Sequence, residues 1–60
     1  MPSPVRFAEV RKLLESKRYV LTDISGSHHI FRKAGVRPLS VPVHHGMVKY
    51  VYFKKAQKAP

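Results

Sequence analysis

The sequence predicts a small α+β domain in the order helix, three antiparallel strands, helix. Three observations predict it. Between residues 4 and 16, Phe7, Val10, Leu13 and Leu14 recur at helical spacing. The middle of the chain holds short β-branched and aromatic runs, separated by glycine-containing turns. A lysine-rich amphipathic run follows, and both helices can cover one face of the sheet and leave the other open. With 60 residues there is room for one domain, spanning 1–60.

The first helix is expected over residues 4–16, with Ser3 as N-cap and Pro4 at the first helical position. Its end offers Lys17 and Arg18 to the last carbonyls, but no glycine for a left-handed residue. "RYVLTDI", 18–24, reads as a strand, and Gly26 in "SGS" can take positive φ in the turn. "HHIFRK", 28–33, is the second arm of a hairpin, and "AGVRP" is the next turn. In "LSVPV", 39–43, Leu39, Val41 and Val43 share one face while Ser40 and Pro42 point away. Pro42 cannot donate to a ladder, which marks an edge strand. "HHG" closes it. "MVKYVYFKKAQK" fits both periods, since Val48, Tyr50 and Tyr52 also alternate like a strand. Its lysines favour a helix over 47–58, with basic residues suiting the C-terminal dipole.

Charge separates the function classes. Twelve Lys and Arg stand against three acids, for a net charge of +9. Such an excess attracts polyanions, with nucleic acid first and an anionic membrane surface or acidic protein second. A merely solubilising coat is the plain alternative. No cysteine is present, which excludes disulfides and thiolate zinc sites and fits a reducing cytoplasm. No apolar run approaches the length of a membrane span or the core of a signal peptide. A chain this short is marginal alone and gains from a partner.

Four imidazoles fall in two doublets, His28-His29 and His44-His45. Adjacent strand residues point to opposite faces, so a doublet does not readily chelate one ion, and the spacing matches no familiar zinc pattern. Three acids are too few for a two-metal nuclease site. A Ser27–histidine–Asp23 set lacks a buried scaffold in so short a chain. What remains is imidazole acting on a phosphate. Its ordinary pKa lies near neutrality, so it can serve as base or acid. RNA carries its own nucleophile, the 2′-hydroxyl. A histidine that removes that proton needs neither metal nor cofactor, and nearby cations can stabilise the phosphorane. Arg32 and Lys33 follow the histidines, and Gly26 can bring backbone N–H groups to a phosphate. A surface strand histidine without a special role is the equal alternative.

"GSHHIF" after "YVLTDIS", then "VPVHHG" and "VKYVYFKKAQK", resemble the HicA (YcfA-like) family of bacterial toxins over residues 5–58. The ordered pair of a Gly-Ser-His hairpin and a Val-Pro-Val-His strand carries the likeness. The resemblance implies a double-stranded-RNA-binding-domain-like fold and an mRNA interferase that arrests growth. It also implies a HicB antitoxin that covers the active-site histidine. The family's catalytic histidine maps onto His28 and its motif glycine onto Gly26. His44 matches a recurrent position. Ser27, His29, Arg32, Lys33 and His44 are then the candidates for holding RNA, with no metal and no cofactor. Three departures stand out: Lys17-Arg18 where many members have glycine, a shorter C-terminal end, and relatives with the histidine one slot later, which makes His29 the alternative to His28. If Phe31 lies under the helices, His28 and Arg32 face the open side; if Ile30 does, the roles exchange. A non-catalytic RNA-binding module and a module docking an acidic protein are the competing functions.

Overall fold

A computed structural model describes residues 3–60. The order is β1 (Val5–Arg6), α1 (Phe7–Ser16), β2 (Val20–Ser25), β3 (His28–Arg32), β4 (Leu39–Pro42), β5 (Met47–Val48) and α2 (Tyr50–Lys58). β2, β3 and β4 form an antiparallel meander, and β1 pairs with β5 in a small separate ribbon. The expected helices and three-stranded sheet are present. The ribbon is an addition, and it corrects both helix starts.

Ser3 and Pro4 do not cap α1. Val5 and Arg6 are extended and pair with Val48 and Met47. Phe7 N–H then donates to Gly46 O at 2.8 Å, and Arg6 is the N-cap with no side-chain cap bond. The ribbon also claims Met47 and Val48 from the helix expected over 47–58, so α2 begins at Tyr50. His44 and Met47 exchange two backbone hydrogen bonds, 3.0 and 2.8 Å. Both residues between them have positive φ, His45 at 51° and Gly46 at 75°, as a two-residue type I′ hairpin requires. That hairpin turns Val48 inward, where it is fully buried.

α1 ends without the expected glycine because Arg18 takes the left-handed position itself, with φ 74°. Arg18 N–H donates to Glu15 O and Tyr19 N–H to Leu14 O, both at 3.0 Å. This is the Schellman pattern, in which an apolar contact accompanies the reversal. Here the apolar partners are Leu14 and Tyr19, both in the core. Lys17 reaches across to the end of α2. Its ammonium donates to Ala56 O at 3.0 Å and Ala59 O at 2.7 Å, and also to Gln57 O.

The core lies between one face of the sheet and the helical layer. Val10 and Leu14 of α1, Phe31 and Val41 of the sheet, Val48, Tyr19 and Ala56 make its buried cluster. Each large side chain fully buried in this way contributes about 1.5–3 kcal/mol. Val51 is 55% exposed, and Ala56 supplies the buried contact of α2. Phe31 is therefore the residue under the helices, which fixes the register left open by the sequence. Among the described residues no helix is long and apolar enough to cross a membrane.

Candidate active site

The β2–β3 hairpin positions His28. Ser25 and His28 are the last pair before the turn, and Gly26 and Ser27 form the two-residue loop. Gly26 has φ 58° and Ser27 does not share the positive sign. This is the type II′ pattern, with glycine at the first central position. A Cβ at Gly26 would meet nothing within 4 Å, so the requirement for glycine here is the backbone angle, not close packing. The loop is exposed at Gly26 and leaves its amides outside the strand ladder.

β3 divides the doublet. His29 and Phe31 face the helical layer, whereas His28, Ile30 and Arg32 face away. His29 is half-buried, its ring 4.6 Å from that of Phe7 between centroids. Its Nδ1–H donates to Ser27 O at 3.1 Å, since a carbonyl oxygen only accepts. Ser27 O also accepts from Val43 N–H at 2.7 Å. His29 thus braces the loop from behind. His28 is exposed, opposite Ser25 on β2 and Pro42 on β4. Its Nδ1 lies 3.3 Å from Ser40 Oγ. Ser40 pairs with Ile30, and so sits diagonal to His28 on the same face. The second nitrogen, Nε2, is left for whatever approaches from solvent.

Arg32 shares this face but not the immediate site. Four residues along a strand separate it from His28 by about 13 Å. Its guanidinium donates to Thr22 Oγ1 at 3.1 Å and reaches Asp23 at 3.5 Å. The geometry exists because β2 carries a bulge between Leu21 and Asp23, which swings Thr22 and Asp23 towards Arg32. Arg32 and Asp23 nearly cancel, so the open face is close to neutral. The excess positive charge lies on α1, α2 and the loops.

Lys33 is not beside His28. It lies over the ring of Tyr19, 5.6 Å from its centroid, and donates to Pro60 O at 3.0 Å. His44 is exposed at the base of the β4–β5 hairpin, one residue beyond the Val43–Ser27 bond. Of the sequence candidates, the fold therefore gathers Gly26, Ser27 and His28 at one hairpin end, with His29 behind. It places Arg32 down the strand and Lys33 on the helical side. Ser40 was missed as a candidate. Alternation in "LSVPV" put it outward, but only the β3–β4 register brings it to His28. Among the described residues no three His, Cys, Asp or Glu side chains converge as a metal site would require.

Chemically the site offers an imidazole held at one nitrogen, free at the other, beside small hydroxyls and turn amides. A family model described as HicA toxin of bacterial toxin-antitoxin matches residues 7–57. No curated protein and no solved structure matches the chain. The match runs from the first residue of α1 to the penultimate residue of α2 and includes both histidine doublets; the chain belongs to the HicA family of toxins from bacterial toxin–antitoxin pairs.

Proposed function

We propose that this toxin is an mRNA endoribonuclease acting in the cytoplasm without metal, and that a HicB-like antitoxin silences it by covering the open face. The observation that carries this reading is His28: solvent-facing, at the end of a hairpin, with Nδ1 engaged by Ser40. When Nδ1–H donates to Ser40 Oγ, Nε2 keeps its lone pair and is the base. Nε2 takes the 2′-hydroxyl proton, and O2′ attacks the adjacent phosphorus. The P–O5′ bond breaks, leaving a 2′,3′-cyclic phosphate, and the imidazolium returns the proton to O5′. The Gly26–Ser27 amides are the nearest backbone donors for the phosphorane oxygens. Arg32 serves a neighbouring phosphate, not the reacting one.

The neutral open face does not remove the pull on RNA. The molecule measures 15 Å along its shortest axis. At physiological salt, where the Debye length is about 8 Å, the cations of the helical layer are largely screened from a strand on the other side; at low salt, where the length reaches about 30 Å, they act on it fully. Field from all sides then raises the encounter rate, and specificity falls to the hairpin end.

His28→Ala is expected to abolish cleavage of a transcript and growth arrest, with the melting temperature unchanged. A 2′-deoxy substitution at the scissile position is expected to block turnover. Undiminished toxicity of the variant, or cleavage of an all-DNA strand, would sink the mechanism. RNA that binds with a steep salt dependence but is never cut would make the chain a binding module instead.

A further inference from the structure

A cleft of about 630 Å³ opens where the turn before β4 meets the end of α2. Its floor is apolar, built from Val36, Leu39 and Ala59, all half-buried. Its rim carries Arg37, Lys55 and Lys58 and no acidic side chain. Among the described residues the ion pairs are Arg11–Glu15 and Arg32–Asp23, so the three rim cations are not neutralised by a carboxylate. The volume falls within the range of ligand clefts. An apolar floor inside a ring of uncompensated cations is complementary to an acidic chain that bears a bulky apolar side chain.

We infer that this cleft docks an acidic peptide segment of a protein partner, with one large apolar side chain seated on the floor and flanking carboxylates on Arg37, Lys55 and Lys58. RNA is the weaker fit. Sequence-tolerant binding of single strands depends on aromatic faces open for stacking, and the aromatic residue here, Tyr19, is 3% exposed. The cleft is also separate from the histidine. Leu39 pairs with Phe31 and Pro42 with His28, which sets the two about 10 Å apart along β4. Leu39 faces the helices and His28 faces the other way. A segment seated in the cleft anchors a partner without itself covering His28. The inference stands independently of RNA cleavage.

The test is a titration of the isotope-labelled full chain, followed by amide NMR. The probe is a short glutamate-rich peptide with a central Leu-Phe pair; the control replaces that pair by Ser-Ser. Saturable shifts are expected at Val36, Arg37, Leu39 and Ala59, with the Leu-Phe peptide tighter by at least about tenfold. Arg37→Glu with Lys55→Glu is expected to weaken binding by more than about tenfold. Lys12→Glu with Lys54→Glu, which changes net charge equally away from the cleft, is expected to lose far less. Equal affinity for the two peptides, equal loss in the two double variants, or shifts scattered over all lysine-bearing surfaces would overturn the inference. So would displacement of the peptide from these amides by oligouridine, which would assign the cleft to RNA. The wild-type comparison of the two peptides decides the matter even if a variant fails to fold.

Discussion

Lys17→Met is the sharpest test of how the helical layer is held. Methionine keeps most of the stem and its packing but removes the charge and every donor. Two of the three carbonyls that Lys17 serves, Ala56 O and Ala59 O, are part-buried, while Gln57 O is open to water. Water replaces the ammonium at Gln57 at little cost. The two part-buried carbonyls each lose an ionic donor, at about 1 kcal/mol apiece, the low end for incompletely buried groups. The cation also lies against the negative end of α2, a contribution of about 0.5 kcal/mol. The expected loss is roughly 2–3 kcal/mol, or about 10–20 °C in Tm for a domain of this size. Thermal and urea melts followed by circular dichroism measure it, with the urea slope unchanged. Lys12→Met, an exposed lysine of α1, is the control and should stay within about 0.5 kcal/mol. A Lys17→Met loss no larger than the control's would refute the assignment of the clamp.

Three further outcomes follow from single positions. Arg18→Gly should stabilise the chain by about 0.5–1 kcal/mol in the same melts, because relief of a left-handed non-glycine exceeds the extra freedom glycine adds to the unfolded chain. Gly26→Ala should cost about 1–3 kcal/mol through the angle the II′ turn demands, and should widen or shift the His28 amide resonance. Ser40→Ala should lower kcat more than KM and move the His28 ring nitrogens away from the Nδ1–H form in nitrogen NMR, while Ser40→Thr restores both. An unchanged tautomer in Ser40→Ala would remove Ser40 from the mechanism.

How far the sequence could be read depended on the range of the interaction. The apolar face of α1 was plain in Val10 and Leu14, and the edge position of β4 in Pro42, because each is stated within a few residues. The β3 register was not, since Ile30 and Phe31 are equally apolar and the choice between them is made by strands on either side. The β1–β5 ribbon left no local mark. Ser3-Pro4 resembles a helix start, and only pairing with residues more than 40 positions away holds Val5 and Arg6 extended. Arg18 escaped for the opposite reason: a chain that lacks the expected glycine can still make the turn when Leu14 and Tyr19 close over it. At the site, Gly26, Ser27 and His28 were legible as a motif, whereas Ser40 needed the register before it meant anything.

The Lys17–Ala56 contact joins positions 39 apart, and the histidine hairpin lies wholly between them. A chain made from its N-terminus therefore completes α1, β2, β3 and β4 while the part of the sheet's inner face that Val48 and Ala56 close is still bare. Phe31 and Val41 wait for Val48 and Ala56. During synthesis His28 and the strands that flank it precede the segment that closes the core behind them, and that closure comes with β5 and α2. Translation thus delivers the exposed imidazole early and the rest of its rigid support at the end.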